Sequence, residues 1–121
     1  MPSFEKRMRA FAHAFRGLRV FSTQWHARVH AIAAVIAIAL GFVLGLSAAE
    51  WCSIVLAITV VCACEAVNTA VELIVDRISL EVHPLSGKAK DVAAGAVLLS
   101  AIGAAIVGAI IFGPKLWPLI F

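Results

Sequence analysis

The stretch of sequence that decides the fold is WCSIVLAITVVCACEAVNTAVELIVD, which runs from residue 51 to residue 76. Residues 51–64 carry no charge but are too few to cross a bilayer, since a hydrocarbon core of about 30 Å needs roughly 20 mostly apolar residues in a helix. A complete span requires the helix to continue through Glu65, Asn68 and Glu72. Polar side chains at membrane depth are costly, so this interruption indicates a functional site.

The sequence on either side of this stretch predicts two more spans. Residues 31–49 and residues 92–114 contain no charged side chain, and each run is long enough to cross the bilayer as a helix. The chain is 63% hydrophobic and only 14% charged, whereas soluble domains carry about 25% charged residues. We therefore predict an all-α membrane protein, a single domain over residues 1–121, with transmembrane helices at residues 30–49, 51–78 and 90–113.

The first 28 residues predict a helix that lies on the membrane surface. Its apolar side chains recur at helical spacing, at Phe4, Met8, Phe11, Phe15 and Leu18. Basic residues alternate with them, namely Lys6, Arg7, Arg9, Arg16, Arg19 and Arg28. A basic amphipathic helix of this kind lies in the interface and is attracted by anionic head groups. Membrane lipids are thus the expected partner of this segment, and nucleic acid is not.

Basic residues also predict the orientation of the chain. They precede the first span and recur around the second connection at Arg77, Lys88 and Lys90, whereas the first connection has none. Cytoplasmic loops carry the excess of lysine and arginine. The N-terminus and residues 79–89 are therefore predicted to be cytoplasmic.

The polar residues of the middle span form one stripe. Glu65, Asn68, Glu72 and Asp76 are spaced i, i+3, i+7 and i+11, which places them on one helix face. A charged group at the bilayer centre costs about 2.5–3.5 kcal/mol on insertion scales. One alternative is that the stripe only approaches the interface, with Asp76 paired to Arg77, and such exposed pairs contribute little. That alternative does not explain Glu65, which lies about 16 Å along the helix from Asp76.

A second polar group follows the middle span, and it consists of Glu81, His83, Ser86, Lys88, Lys90 and Asp91. Pro84 and Gly87 predict a turn within it. Carboxylates beside lysines suit a metal-bound polyphosphate, because Mg²⁺ combines one or two carboxylates with phosphate oxygens. The sequence contains neither a P-loop nor a GxGxxG motif.

Three histidines before or within the first span have no acidic or cysteine residue at metal-ligand spacing. They are His13, His26 and His30. A structural metal site usually needs four ligands. All three are therefore predicted to be interfacial or packing residues rather than metal ligands.

Four segments together resemble the signature of the prokaryotic diacylglycerol kinase family, which includes undecaprenol kinases. They are EAVNTAVE at 65–72, VD at 75–76, HPL at 83–85 and AKDVAAGAV at 89–97. The resemblance covers nearly the whole chain. It implies a homotrimer in the bacterial plasma membrane with active sites between protomers. It also implies transfer of the γ-phosphoryl group of ATP, with Mg²⁺ as cofactor, to a lipid hydroxyl.

The resemblance also implies a role for individual residues. Glu65 is the expected general base, and Asn68 orients it or the substrate. The expected nucleotide-binding residues are Glu72, Glu81, His83, Lys90, Asp91, Lys6, His13 and Gln24. The expected contacts of the lipid substrate are Glu65, Ala94 and Trp25. Glu72 is the expected metal ligand, and Gln24, which stands where relatives have a metal-binding glutamate, is the expected second ligand.

Two questions remain open at this point. The first is the substrate. Undecaprenol kinases, which yield undecaprenyl phosphate, are similar at residues 93–95 and at the PKLW sequence of 114–117. Diacylglycerol kinases, which yield phosphatidic acid, are similar at Asp76, Arg77 and Ile78.

The second is the function class. The alternative to a lipid kinase is a small proton-coupled transporter that uses Glu65, since membrane carboxylates also serve as proton relays. Such a transporter has no need for the polar group at 81–91. A purely structural membrane subunit leaves the acidic stripe without a cause.

Overall fold

The computed structural model describes residues 3–78 and 82–121, and within these residues the chain forms four helices. They are α1 (Phe4–Ser22), α2 (Trp25–Leu44), α3 (Ala48–Ile78) and α4 (Pro84–Ile120). The last three are long and apolar enough to cross a membrane. This confirms the predicted fold class, an amphipathic N-terminal helix followed by three transmembrane helices.

The surface helix is shorter than the sequence predicted. The Ser3 hydroxyl accepts a hydrogen bond from the backbone N–H of Lys6 and caps the start of α1. At the other end, the Ser22 and Thr23 hydroxyls donate to carbonyls one turn earlier, which offers the backbone an alternative to further helix. Gln24 is extended and α2 begins at Trp25, so the predicted continuous helix over residues 1–28 is wrong. Phe21 is half-buried, and the other residues of α1 are exposed.

A tight connection joins α2 to α3. Gly45 ends α2 in the left-handed conformation, with φ of 70°, which glycine adopts without steric cost. Ser47 and Glu50 form a capping box, in which each side chain accepts a hydrogen bond from the other residue's backbone N–H, at 3.2 and 3.0 Å. This box starts α3 at Ala48, and it explains why α2 ends at Leu44 instead of the predicted residue 49.

Gly41 in α2 is the point at which α2 and α3 approach most closely near this connection. A Cβ atom added there would lie 2.6 Å from the Trp51 ring and 2.9 Å from the Leu46 side chain. The Trp51 ring is rigid, so it can make room for a Cβ atom only if a helix shifts. Gly41 is therefore required by packing.

Gly41→Ala is expected to lower the melting temperature of the detergent-solubilised protein, because overpacking a close contact costs about 1–3 kcal/mol. The matched control is Gly103→Ala, since no atom lies within 4 Å of the position its Cβ would occupy. Thermal unfolding followed by circular dichroism compares the two variants. Equal melting temperatures for both would show that the contact with Trp51 does not stabilise the fold.

The start of α4 corrects a second prediction from the sequence. Pro84 and Gly87 do not form a turn, because α4 begins at Pro84 and Gly87 lies inside it. Proline suits the first helical position, where no backbone N–H is needed. The His83 ring caps this end, since its Nδ1 accepts a hydrogen bond from the backbone N–H of Leu85 at 3.1 Å.

The far end of α4 extends beyond the predicted boundary at residue 113. The helix continues through Pro114 and Pro118 to Ile120. Membrane helices tolerate proline, because local adjustments and neighbouring groups satisfy the freed carbonyls. Lys115 in this segment forms an ion pair of 3.3 Å with Glu50 at the start of α3, so the two helices are joined at this end.

α3 is the central element of the molecule, because it packs along α4 and also contacts α2 and α1. The buried apolar residues of the described chain are Ala27, Ile54, Val61 and Ile111. Most large apolar side chains are exposed, as expected of surfaces that face lipid or other protomers. The two buried polar residues, Glu65 and Asn68, both lie on α3.

Candidate active site

The polar stripe of α3 divides into a buried half and an exposed half. Glu65 and Asn68 are only 4% and 8% exposed, whereas Glu72 and Asp76 are exposed. Each member of the stripe also has a polar partner in the structure. The stripe thus contributes to three side-chain pairs at successive levels along α3.

The deepest pair is Glu65 with His30. The Nε2 atom of His30, on the second turn of α2, lies 2.7 Å from Oε1 of Glu65. An ionised carboxylate only accepts hydrogen bonds, so in that state the imidazole Nε2–H is the donor. Burying a carboxylate without a partner costs several kcal/mol, and this hydrogen bond offsets part of that cost.

His30 is the site residue that the sequence analysis missed. Its assignment as an interfacial or packing residue rested on the lack of a nearby acidic residue in the sequence, but its partner lies on another helix. One signal was present in the sequence. His30 and Glu65 lie at similar distances along the chain from the first connection, so antiparallel helices place them at similar depth.

The second pair is Asn68 with Glu72, one turn apart on α3. The Asn68 amide donates from Nδ2 to Oε1 of Glu72 at 3.1 Å. Among the described residues, the buried Oδ1 atom of Asn68 has no hydrogen-bond partner. A buried acceptor without a partner costs about 1–3 kcal/mol, so this oxygen is a candidate ligand-binding atom beside an exposed carboxylate.

The third pair joins α3 to α4, because Nζ of Lys90 lies 2.5 Å from Oδ1 of Asp76. The alternative pairing of Asp76 with Arg77 is therefore wrong. Adjacent residues on a helix do not face each other, whereas Lys90 reaches across from the neighbouring helix.

The remaining predicted site residues lie around these pairs. Lys6 and His13 are exposed on α1, Gln24 is half-buried at the start of α2, and Trp25 is exposed beside it with its ring edge-on to His26. On α4, His83 caps the helix and Asp91 and Ala94 are exposed. Glu81 lies outside the described residues. Within the described part of the chain, no hydrogen bond or ion pair joins these residues to the three pairs.

The part of the chain that the structure describes does not enclose a metal site by itself. In residues 3–78 and 82–121, no group of three or more histidine, cysteine, aspartate or glutamate side chains could hold a metal ion. Mg²⁺ does not require such a group, since it is commonly bound by one or two carboxylates together with substrate phosphates. The exposed Glu72 carboxylate beside Oδ1 of Asn68 supplies oxygen donors of the type that Mg²⁺ prefers. These residues therefore fit the ion.

An apolar groove of about 320 Å³ runs between α2, α3 and α4, with His30 in its wall. Small side chains line most of it, including Ala33, Ala34, Ala37, Ala57, Ala101, Ala104, Ala105 and Gly108. Concave apolar sites of this size suit hydrophobic ligands oriented by a few polar groups. His30 of the deepest pair lines this groove, so an apolar chain that reaches His30 would lie close to the residue that pairs with Glu65.

Comparison with known proteins gives a consistent result. The family model described as prokaryotic diacylglycerol kinase matches residues 12–112. An undecaprenol kinase from Bacillus subtilis is 42% identical over 109 residues, which covers 89% of each chain. A diacylglycerol kinase from Escherichia coli K12 is 32% identical over 85% of each chain. Another from Haemophilus influenzae is 36% identical over 83% of this chain and 86% of that protein.

Proposed function

Since the chain belongs to the prokaryotic diacylglycerol kinase family, we propose that it transfers the γ-phosphoryl group of MgATP to undecaprenol. The protein is a multi-pass membrane protein and a lipid kinase, that is, a phosphotransferase with an alcohol acceptor. The proposal rests on one observation above all. His30, which lines the apolar groove, is hydrogen-bonded to the buried carboxylate of Glu65.

Two observations support undecaprenol over diacylglycerol as the substrate. The relative named undecaprenol kinase shares 42% identity, against 38%, 36% and 32% for three relatives named diacylglycerol kinase. In the sequence itself, residues 93–95 and 114–117 favour the same substrate. Diacylglycerol is the alternative acceptor, and Asp76, Arg77 and Ile78 favour it.

Glu65 has the position of a general base for this reaction. It would accept the proton of the lipid hydroxyl as that oxygen forms a bond to the γ-phosphorus, while the bond from phosphorus to the β,γ-bridging oxygen breaks and ADP leaves. Asn68, one helix turn away, would orient the base or the substrate. The groove would hold the lipid chain, with Ala94 and Trp25 as further contacts.

Glu72 is the proposed holder of Mg²⁺, and Gln24 is the proposed second ligand. Mg²⁺ held there would offset the negative charge of the phosphates. The hydrogen bond from Asn68 engages Oε1 of Glu72, so Oε2 would be the oxygen that coordinates the ion. Hydrogen bonds of this type orient metal ligands and tune their affinity.

Lys90 is the proposed contact of the nucleotide phosphates on α4, where Asp76 holds its ammonium group. His83, Asp91 and Glu81 would complete the nucleotide site, together with Lys6 and His13 from α1. The lysine would also offset charge that develops during transfer. Cations that contact phosphates in this way act as point charges, so their removal mainly weakens nucleotide binding and transfer.

Lys90→Met is expected to raise the KM for ATP by roughly 10-fold or more, because hydrogen bonds to charged groups are among the strongest in proteins. The control is Lys88→Met on the same helix, since Lys88 is exposed and lies on a different face. Initial rates over a range of ATP concentrations provide the comparison. Equal KM values for ATP in the two variants would show that Lys90 is not part of the nucleotide site.

The proposed assembly is a homotrimer in the bacterial plasma membrane, with the N-terminus and the active site on the cytoplasmic side. The distribution of basic residues supports this orientation. A single chain leaves Glu72 and most of its large apolar side chains exposed, and neighbouring protomers would cover part of this surface. Active sites between protomers would then complete the nucleotide contacts.

The proposed function is tested with the purified protein in mixed micelles, with MgATP and either undecaprenol or diacylglycerol in parallel. We expect phosphorylation of undecaprenol with the higher kcat/KM. A higher kcat/KM for diacylglycerol would overturn the substrate assignment and leave the lipid kinase in place. Phosphorylation of neither lipid would contradict the proposed activity itself.

A further inference from the structure

The hydrogen bond between His30 and Glu65 is a polar contact that the proposed catalytic step does not use. It connects, at 2.7 Å, two of the helices that are long and apolar enough to cross a membrane, and unsatisfied polar groups inside a membrane are costly. Glu65 is almost fully buried and His30 is half-buried. Within the described residues, His30 is the one hydrogen-bond partner of the Glu65 carboxylate.

A carboxylate has two oxygens, and the geometry distinguishes them. Oε1 of Glu65 is engaged by Nε2 of His30, so it is directed toward α2. Oε2 is the oxygen left to accept a proton from a substrate. A general base acts only when the accepting atom lies within hydrogen-bond reach of the proton that it removes, so the rotamer of Glu65 matters as much as its presence.

We propose that His30 is the positioning residue of Glu65, which holds the carboxylate with Oε1 on the imidazole and presents Oε2 to the hydroxyl of the lipid. This inference rests on the proposed function and deepens it. His30 also lines the apolar groove. The residue that orients the base is therefore part of the wall along which the lipid chain lies, and it fixes the base relative to the end of that chain.

The test compares two amides that differ by one methylene group. In His30→Gln, the side-chain nitrogen lies about where Nε2 of histidine lies, so the hydrogen bond to Glu65 is retained. In His30→Asn, the amide is too short to reach Glu65. We expect Asn to lower kcat by roughly 10²-fold, as small misplacements of catalytic groups do, while Gln keeps most of the wild-type kcat. The KM for ATP is expected to stay unchanged in both variants.

A double-mutant cycle separates positioning from a general structural effect. In a Glu65→Gln background, His30→Asn is expected to cause little further loss, because residues that act through one another are not additive. Thr59→Val is the control, since its hydroxyl bonds only to the carbonyl of Val55 on its own helix. Melting temperatures and oligomer size are recorded for every variant.

Several outcomes would overturn the proposal. One is equal kcat values for His30→Asn and His30→Gln. Another is that His30→Asn lowers kcat by the same factor in the Glu65→Gln background as in the wild-type background. A third is a change confined to the KM for ATP. These outcomes require an active wild-type enzyme. A wild-type protein that phosphorylates no lipid contradicts the proposed function. An active wild-type protein whose kcat is unchanged by the His30 substitutions contradicts this inference alone.

Discussion

Glu65→Gln is expected to lower kcat for lipid phosphorylation by about 10²- to 10⁴-fold, the range that a positioned general base contributes. Glutamine has the shape of glutamate and can still accept the hydrogen bond from His30, but it cannot take a proton from the lipid hydroxyl. The KM for ATP is expected to remain close to wild type, because Glu65 lies deeper than the predicted nucleotide residues. Steady-state kinetics in mixed micelles measure both constants.

The matched control is Glu50→Gln, the same substitution in the first turn of the same helix. Glu50 caps α3 and pairs with Lys115, so this variant tests the loss of a carboxylate far from the groove. We expect its kcat to match wild type. Full activity of Glu65→Gln in a folded protein would show that Glu65 is not the general base, whichever lipid the enzyme phosphorylates.

The second large effect is expected in the response to Mg²⁺. Asn68→Leu removes the hydrogen bond that orients Glu72, and loss of such a partner typically lowers metal affinity or activity by about 10- to 100-fold. Glu72→Gln removes the anionic ligand itself, so its effect is expected to be larger. Activity measured against Mg²⁺ concentration, at saturating ATP, gives the half-maximal concentration for each variant.

High Mg²⁺ is expected to restore part of the activity of Asn68→Leu, because Glu72 is still present while the orienting role of Asn68 is lost, and little of the activity of Glu65→Gln. Ser53→Ala is the control on the same helix, since the Ser53 hydroxyl bonds only to the carbonyl of Ala49. Unchanged Mg²⁺ curves for both Asn68→Leu and Glu72→Gln would place the metal elsewhere. In that case Gln24 and Asp91 become the next positions to test.

The elements that sequence predicted well are those set by local patterns. Apolar runs determined the three spans, and the period of the α-helix placed Glu65 and Asn68 on one face. Both are local properties, readable from neighbouring residues. The resemblance to known lipid kinases pointed to the same segment. Since the chain belongs to that family, a proton-coupled transporter is no longer the leading alternative function.

The helix boundaries were predicted less well, because the same residues start helices and form turns. Pro84 suits a turn as well as the first position of a helix, and the cap from His83 decides between them. Ser47 with Glu50 similarly starts α3 before the tryptophan that was predicted to begin it. Such caps depend on side-chain geometry, which the sequence pattern alone does not determine.

The sequence analysis did not predict the contacts between helices. Glu65 pairs with His30 and Asp76 pairs with Lys90, and both contacts depend on how the helices pack. The stripe also does not reveal that Glu72 and Asp76 are exposed while Glu65 and Asn68 are buried. The roles of all the predicted site residues stay predictions.

The most direct measurement follows the phosphoryl group itself. Purified protein in mixed micelles receives undecaprenol, Mg²⁺ and ATP labelled at the γ-phosphoryl group, and the organic extract is analysed for labelled lipid phosphate. We expect label in undecaprenyl phosphate for wild type and almost none for Glu65→Gln. Label released only as inorganic phosphate, or lipid labelled equally by both proteins, would contradict a lipid kinase in which Glu65 is the base.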